Sequence, residues 1–197
     1  KFIETYTPLT LVMCNSCNAV QTGHSISQTS RYQDYDYSYD SMNSPVSTSH
    51  FEELANSILS FKKTDAKNLS ILEFGSNIGT LLLNFKQMGV KNVLGVDPAK
   101  NIAEIAIKKY DIPTLVCFYD KKILDRDIGQ FDIITGSNVV NHADNINEVF
   151  KTSYQLLKND GTFVFEVPYL LNLIENNAFD TIYHEHVHYH SITTLKL

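Results

Sequence analysis

The sequence lacks the features that mark membrane, secreted and nucleic-acid-binding proteins. None of its apolar runs approaches the ~18 residues of a transmembrane helix, and no basic start precedes an apolar core as in a secretory signal. Three cysteines among 197 residues are too few for a disulfide scaffold. A net charge of −6 argues against a groove for nucleic acid. The sequence therefore predicts a cytoplasmic protein without membrane or nucleic-acid partners.

The remaining composition is that of an ordinary globular protein, with 43% hydrophobic and 19% charged residues. The length suits one domain with an appendage. The most informative stretch is 69–98, where an apolar run at 71–74 predicts a buried strand and helical spacing follows over 80–88. A second apolar run, 93–96, ends at Asp97. This order is the outline of a nucleotide-binding βαβ unit.

The turn between the first strand and the helix has the spacing E-x-G-x-x-x-G, from Glu73 through Gly75 to Gly79. It is not the G-x-G-x-x-G fingerprint of a dinucleotide site. The glycines let the backbone approach a ligand closely, and Asp97 can bind both hydroxyls of a ribose. Without a tight phosphate cradle, adenosine without phosphates fits better than NAD or ATP, and S-adenosylmethionine (SAM) is such a ligand. The alternative is a parallel α/β domain in which these residues serve the fold alone.

Beyond this unit, strands and helices alternate, which predicts a parallel sheet with helices on both faces. The predicted helices are 101–110 and 148–157, and the predicted strands are 114–118, 131–135 and 162–167. Ligands of such sheets bind beyond the carboxyl ends of the strands. The candidate segments at this edge are 73–79, Asp97, Phe118, 136–142 and 166–169.

Two segments before the βαβ unit each allow two interpretations. Cys14 and Cys17 have the spacing of a zinc knuckle, although a tetrahedral site needs four ligands and only His24 is a candidate third. A plain reduced pair is the alternative. Residues 29–45 hold tyrosines among Asp, Ser and Asn, which suits a disordered linker or an aromatic lid over a ligand. A helix is predicted to follow, from 48 to about 62.

Four of the seven histidines lie near the carboxyl end, at positions 184, 186, 188 and 190. At this alternate spacing they would line one face of a strand. Three interpretations stay open. The first is a metal site with Glu185 as a further ligand or orienting group. The second is a catalytic site in which one histidine is a general base, and the third is a solvated histidine run.

Three stretches together resemble the SAM-dependent sugar C-methyltransferases, which act on nucleotide-linked 4-keto-deoxyhexoses. They are 73–80 (EFGSNIGT), 95–103 (GVDPAKNIA) and 179–186 (FDTIYHEH), of which the last is the most specific. Residues 8–21 are similar to the second half of that family's amino-terminal zinc module, and the tyrosine run is similar to the segment that follows it. The resemblance spans nearly the whole chain.

The resemblance implies a class I SAM-methyltransferase fold, that is, a Rossmann-like, doubly wound α/β sheet with a partial N-terminal zinc-module segment. It divides the chain into a zinc-module remnant (1–28), a Tyr-rich lid with its helix (29–62), a SAM-binding domain (63–178) and a His-rich catalytic segment (179–197). The family's first cysteine pair and its carboxyl-terminal sugar-nucleotide domain are absent from this sequence. We therefore expect the chain to be a fragment of a longer enzyme.

The resemblance also implies a set of site residues. The implied catalytic residues are His186, Glu185, Tyr183, His142, Tyr37 and Tyr39. The implied SAM-binding residues are Glu73, Gly75, Ser76, Asn77, Gly79, Thr80, Asp97, Pro98, Phe118 and Asn138. The implied ligands of a structural zinc are Cys14 and Cys17. In this scheme His186 is the base, His142 donates to a substrate oxygen, and Tyr37 or Tyr39 closes over the methyl donor.

The implied reaction is methylation of the carbon next to a ketone, with SAM as cofactor and a small-molecule nucleotide sugar as substrate. The base removes a proton from that carbon, and the resulting enolate attacks the methyl group of SAM. Two alternatives stay open. One is an O- or N-methyltransferase on the same fold, and the other is a non-catalytic module that binds SAM or a metal through the histidine cluster. The sequence does not define the sugar, the nucleotide or the oligomeric state.

Overall fold

A computed structural model of the chain describes residues 6–196. Its strands are β1 (Leu11–Met13), β2 (Val20–Thr22), β3 (Ser70–Phe74), β4 (Asn92–Asp97), β5 (Thr114–Val116), β6 (Phe131–Ser137), β7 (Leu157–Glu166) and β8 (His188–Tyr189). Its helices are α1 (Gln28–Tyr32), α2 (Pro45–Ser60), α3 (Thr80–Gln87), α4 (Lys100–Tyr110), α5 (Ile146–Leu156), α6 (Leu170–Glu175) and α7 (Ile192–Leu195). Short 3-10 turns lie at Ala66–Asn68, Lys121–Asp125, Val140–His142 and Phe179–Thr181.

Five strands form a parallel sheet in the order β5-β4-β3-β6-β7. Counted along the chain, this is the order 3-2-1-4-5 of a doubly wound sheet. The predicted parallel sheet is therefore confirmed. The strand order reverses between β3 and β6, and the crevice at that point, beyond the carboxyl ends of the strands, is where ligands of such sheets bind.

The two larger clusters of the core form apolar layers, one on each face of the sheet, and a smaller third cluster contains Ile78, Ala99 and Ile102. On one face Ile71 of β3 packs in a cluster with Ile58 of α2 and Phe85 of α3. On the other face Leu72, the next residue of β3, packs in a cluster with Val149 of α5. Successive side chains of a strand point to opposite faces, so β3 supplies both layers and all five of its residues are buried. Full burial of each of its apolar side chains, Ile71, Leu72 and Phe74, stabilises the fold by about 1.5–3 kcal/mol.

The structure shifts the ends of several predicted elements. The helix predicted over 48–62 is α2, which begins at Pro45, because proline at the first helical position loses no hydrogen bond. The Ser44 side chain caps this helix by accepting from the N–H of Ser47. The strand predicted over 114–118 ends at Val116, so Phe118 lies in the following loop.

Strand β7 is longer than the prediction of 162–167. Its pairing with β6 shifts between Phe131, which faces Leu157, and Ile133, which faces Thr162. The polar residues between these two pairs therefore form a bulge inside the strand. Asn, Asp and Gly are typical of turns, so the local sequence gave no sign that the strand extends through them.

A second, antiparallel sheet has the order β1-β2-β8. Val20 pairs with Tyr189 and Gln21 with His188, so the first and last predicted segments of the chain contact each other. The domain boundaries themselves stay a prediction, and residues 1–5 and 197 lie outside the described residues. The prediction that four alternating histidines share one strand is wrong. The backbone N–H of His186 donates to the Tyr183 carbonyl at 3.0 Å, which closes a turn, and the strand contains only His188 and Tyr189.

Within residues 6–196, no helix combines the length and the apolar character that crossing a membrane would require.

Candidate functional site

A cavity of about 710 Å³ opens beyond the carboxyl ends of the central strands. Its walls come from the glycine turn after β3, the loops after β4, β5 and β6, the tyrosine-rich segment and the turn at 183–186. All the predicted catalytic residues line it, and so do all the predicted SAM-binding residues except Gly79. The structure thus brings together residues that are up to 149 positions apart, from Tyr37 to His186.

The two glycines of the turn have different roles. Gly75 has φ +62°, and a Cβ at this position would lie 2.5 Å from Cγ2 of Val139. A side chain there would push into the loop that follows β6, so glycine keeps this wall of the cavity open. Gly79 has φ +85° and caps the amino end of α3, where a Cβ would lie 2.9 Å from Ile112. Gly79 therefore serves the packing of α3 and does not reach the cavity wall.

Asp97 ends β4 at the cavity wall and is 7% exposed. Its two carboxylate oxygens accept hydrogen bonds from the backbone N–H groups of Asn77 (2.9 Å) and Ala99 (2.8 Å). Burial raises the pKa of Asp97 to about 6, although these two N–H groups act in the opposite direction. Each oxygen retains acceptor capacity after one hydrogen bond. The carboxylate is therefore fixed in place and can still accept from a ligand's hydroxyl groups.

Glu73 lies near the end of β3 and is 3% exposed. Burial, and secondarily the nearby charge of Asp97, raise the pKa of Glu73 well above its ordinary value. Its Oε2 atom has no hydrogen-bond partner among the described residues. A buried polar atom without a partner costs about 1–3 kcal/mol. A ligand that carries N–H or O–H donors into the cavity would relieve this cost.

The tyrosine-rich segment lies over the cavity and is held there by two asparagine side chains. Asn101 of α4 accepts from the Tyr37 N–H at 3.2 Å and donates to the Tyr37 carbonyl at 2.9 Å. Asn77 donates to the Tyr39 carbonyl at 2.9 Å and accepts from the Ser41 N–H at 3.0 Å. Of the two alternatives that the sequence left open for this segment, these contacts favour the lid over the disordered linker. The sequence analysis missed Asn101.

The lid also contacts the turn at 183–186. The Tyr37 hydroxyl donates to Oε2 of Glu185 at 3.0 Å. Burial, and then the charge of Glu185, raise the pKa of Tyr37 above its ordinary value, so the phenol stays protonated and acts as a donor. Tyr39 is half-exposed and lines the same wall. One hydrogen bond thus joins the lid to the residue next to His186.

His186 is held through both ring nitrogens and is 8% exposed. Its Nδ1 lies 2.8 Å from the Thr181 carbonyl and its Nε2 lies 2.5 Å from the Tyr183 hydroxyl. A carbonyl only accepts, so Nδ1 carries the ring proton, and the Tyr183 hydroxyl donates to the lone pair of Nε2. Burial lowers the pKa of His186 below its ordinary value, so the ring is neutral at pH 7. Nε2 is therefore the nitrogen that can take up a proton.

His142 closes the 3-10 turn after β6, and its ring centroid lies 5.0 Å from that of His186. Its Nδ1 lies 3.2 Å from the Tyr32 hydroxyl, and its Nε2 has no partner among the described residues. Burial, followed by the nearby His186 and Arg31, lowers the pKa of His142 to about 3. The ring is therefore a neutral imidazole at physiological pH.

Arg31 is a second residue that the sequence analysis missed. Its side chain is 2% exposed, forms an ion pair with Asp144 and donates to the His142 carbonyl at 2.9 Å. This contact fixes α1 against the loop that carries His142. Arg31 is one of only two arginines in the sequence, but nothing in its local pattern points to a partner 113 positions away.

The remaining predicted SAM-binding residues lie where β5 and β6 end and where α3 begins. Phe118 lines the cavity in the loop after β5. Asn138 has φ +54°, and its N–H donates to the Glu166 carbonyl at 2.8 Å, which joins the ends of β6 and β7. The Thr80 hydroxyl lies 2.5 Å from that of Ser41 in the lid. The last two, Ser76 and Pro98, also line the cavity.

The cysteine pair lies in the turn between β1 and β2, away from the cavity. The Cys14 carbonyl accepts from the Asn18 N–H at 2.9 Å. Hydrogen bonds from the backbone of Cys17 and Ser16 lower the pKa of Cys14. Across residues 6–196 no group of three or more His, Cys, Asp or Glu side chains is placed to hold a metal. The structure therefore does not place His24 as a third ligand beside the pair.

The fold and the cavity define a class of protein. A parallel sheet of order 3-2-1-4-5 is a Rossmann-like, doubly wound α/β domain, and the cavity lies at its switch point, where ligands of such sheets bind. The chain belongs to the methyltransferase domain family, whose model matches residues 48–197. Its fold is that of the class I SAM methyltransferases.

The chain is 33% identical over 195 residues to the C-methyltransferase NovU of Streptomyces niveus. The aligned region covers 98% of this chain and 45% of that protein. It thus spans less than half the length of this curated relative. Among solved structures, the YcgJ protein of Bacillus subtilis has a TM-score of 0.60 at 20% identity, covering 75% of this chain and 65% of that one. DesVI of Streptomyces venezuelae has a TM-score of 0.52 at 16% identity, and the match covers 62% of this chain and 52% of that one. These structural likenesses concern the fold alone.

Proposed function

We propose that the chain carries the SAM-binding and catalytic residues of a C-methyltransferase that acts on a nucleotide-linked 4-keto-deoxysugar. The methyl group goes to the carbon next to the ketone. The family and the relative named a C-methyltransferase support methyl transfer to carbon. The observation that carries the proposal is His186, a residue of the cavity wall whose neutral imidazole is held by the Thr181 carbonyl so that Nε2 is unprotonated.

The glycine-turn end of the cavity suits SAM. A volume of about 710 Å³ lies within the usual range for small-molecule sites. Asp97 would accept from the ribose hydroxyls, Phe118 would stack against the adenine, and the unpartnered Oε2 of Glu73 would accept from a donor on the amino-acid part. SAM bound there supplies a methyl group attached to a positively charged sulfur.

His186 acts as the general base of the reaction. The bond between hydrogen and the carbon next to the ketone breaks, the proton goes to Nε2, and the electron pair stays on the substrate as an enolate. The enolate carbon would then form the new bond to the methyl group while the bond from that group to the sulfur breaks, and the sulfur would leave with that electron pair as a neutral thioether. The Tyr183 hydroxyl occupies Nε2 in this structure, so the substrate must displace it when it binds. Afterwards the protonated ring returns its proton to solvent.

His142 stabilises the charge that develops on the substrate oxygen. A neutral imidazole with a free N–H is a suitable donor for an enolate oxygen, since it adds no charge of its own to the resting site. Nε2 is closed off from solvent, so the neighbouring rings must move apart to admit the oxygen. Tyr37, held by Glu185, then closes the cavity over the donor of the methyl group.

The cysteine pair has a separate role in the proposal. Cys14 and Cys17 would contribute two ligands to a zinc site. This zinc would be structural and not catalytic, because methyl transfer from a sulfonium needs no metal. Metal analysis of the purified chain tests this point together with the alternative of a metal-binding module. Bound metal that is lost in a Cys14→Ser/Cys17→Ser variant supports the structural site. Metal that survives that change but is lost in a His184→Gln/His186→Gln variant supports the metal-binding module.

Calorimetric titration tests the proposal, with SAM and its demethylated product beside NAD and ATP. We expect the first pair to bind at about micromolar strength, near −8 kcal/mol, and neither NAD nor ATP to bind. A Gly75→Val variant narrows the cavity at Val139 and should lose this binding. The exposed Gly129→Val, where nothing lies within 4 Å of an added Cβ, is the matched control. Binding of NAD in place of SAM would contradict the proposal.

A further inference from the structure

Tyr32, the last residue of α1, lines the cavity and contacts His142. Its hydroxyl lies 3.2 Å from Nδ1 of His142, although 110 positions separate the two residues. Tyr32 belongs to the tyrosine-rich segment that the sequence predicts as a lid or a linker, but it has no individual role in that prediction, and it makes none of the contacts described above for Tyr37 and His186. This contact decides which nitrogen of His142 carries the ring proton.

Counting donors and acceptors gives the direction of the hydrogen bond. If the Tyr32 hydroxyl donates to Nδ1, the phenol hydrogen and Nδ1 are both satisfied, and only the N–H at Nε2 has no partner among the described residues. If instead Nδ1–H donates to Tyr32, both the phenol hydrogen and the Nε2 lone pair have no partner in residues 6–196. Buried polar groups without partners are unfavourable. The first arrangement leaves one such group and the second leaves two.

Arg31 contributes to the neutral state of His142 and does not itself decide which nitrogen carries the proton. Its guanidinium carbon lies 5.5 Å from the centroid of the Tyr32 ring, and its charge disfavours a second positive charge on His142. The same guanidinium holds the His142 carbonyl and Asp144. Arg31 therefore fixes the backbone of the turn, while Tyr32 contacts the ring that the turn carries.

We propose that Tyr32 is a positioning residue: its hydroxyl donates to Nδ1 of His142 and so holds this histidine with its proton on Nε2, a buried donor without a partner among residues 6–196. In the reaction this donor would bind the substrate oxygen, and that step rests on the proposed function. The hydrogen-bond direction itself is a property of the free protein, so it can be tested without any substrate.

Nitrogen-15 NMR of histidine side chains tests the proposal on the full chain. The His142 resonances are assigned by their loss in His142→Gln. We expect a protonated Nε2 and an unprotonated Nδ1 whose resonance lies upfield because it accepts a hydrogen bond. In Tyr32→Phe the Nδ1 resonance should shift downfield, towards the position of an unprotonated nitrogen that accepts no hydrogen bond. Tyr35→Phe is the matched control, since this tyrosine of the same segment is 84% exposed and should leave the resonance unchanged.

A proton on Nδ1 in the wild-type chain overturns the proposal, and this result does not depend on whether Tyr32→Phe folds. An unmoved Nδ1 resonance in a folded Tyr32→Phe also overturns it. With a keto-sugar substrate, we expect kcat to fall about tenfold in Tyr32→Phe while KM for SAM is unchanged, since a loosened donor costs less than a removed one. Methyl transfer to oxygen or nitrogen would contradict the proposed function and leave the NMR result standing.

Discussion

The two ends of the cavity bury ionisable groups of opposite kinds. At the glycine-turn end, burial raises the pKa of Asp97 to about 6 and that of Glu73 well above its ordinary value. At the histidine end, burial lowers the pKa of His142 to about 3 and that of His186 below its ordinary value. The cause is the same at both ends: a buried charge is poorly solvated, so burial favours the neutral form of each group.

The consequences for chemistry differ between the two ends. Asp97 would bind a ribose as a carboxylate, so burial opposes its role and the N–H groups of Asn77 and Ala99 are needed to keep it ionised at neutral pH. His186 would act as a neutral base, so burial supports its role. The first end is therefore expected to control affinity for SAM, and the second to control the rate of methyl transfer.

The largest effect is expected from His186→Gln. It removes the base, so we expect methyl transfer to fall by about 10²–10⁴-fold while SAM affinity measured by calorimetry stays within twofold. His184→Gln is the matched control, since the His184 side chain contacts the Thr7 carbonyl and does not line the cavity. An equal loss of rate and SAM affinity in His186→Gln would contradict the division between the two ends.

A smaller effect, on SAM affinity and not on rate, is expected from Asp97→Ala. Loss of the ribose hydrogen bonds should weaken SAM binding by about 1–3 kcal/mol, while the rate at saturating SAM changes little. Calorimetry and saturating kinetics measure the two quantities separately. Asp127→Ala, at an exposed loop position, is the control. A lower rate at saturating SAM with unchanged SAM affinity would contradict this division, because Asp97 would then act in methyl transfer and not in SAM binding.

The pH dependence of SAM affinity should follow Asp97. The folded pKa of about 6 lies above the ordinary value, so the carboxyl is ionised above pH 6 and protonates as the pH falls through 6. Affinity should therefore fall as the pH falls through 6, by up to tenfold per pH unit below it, since one proton on Asp97 is linked to binding. Calorimetry between pH 5 and 8 checks this. In Asp97→Asn the dependence should disappear, and its persistence there would point to another group.

The smallest effect is expected at the lid. Asn101→Ala removes two hydrogen bonds to the Tyr37 peptide, each contributing about 1 kcal/mol. The Tyr37 amide should exchange its hydrogen faster, and SAM affinity should fall by less than tenfold. Hydrogen-exchange measurements compare this variant with Asn159→Ala at an exposed position. Unchanged exchange at Tyr37 would show that other contacts hold the lid.

The sequence predicted the glycine-turn end more completely than the histidine end. Strand β3, the turn, α3 and β4 are contiguous in the chain, so their apolar periodicity and the spacing from Gly75 to Asp97 carry the geometry directly. The turn at 183–186 shows the limit of such patterns. Alternating histidines suggested one strand face, but the hydrogen bond from His186 to Tyr183 closes a turn that periodicity does not indicate.

The contacts that orient the histidine end connect distant parts of the chain. Tyr32 meets His142, Arg31 meets Asp144, and Val20 pairs with Tyr189. None of these pairs has a local signal, because each depends on how α1 and the small sheet pack against loops of the large sheet. Residue types at the site could therefore be named from the resemblance, whereas the proton positions on His142 and His186 required the structure.

The most direct test of the account is to locate the transferred methyl group. The chain is incubated with SAM labelled with carbon-13 in its methyl group and with a nucleotide-linked 4-keto-6-deoxyhexose, and the product is examined by NMR. The account predicts a labelled methyl group bonded to the ring carbon next to the ketone. A label found on oxygen or nitrogen would contradict it.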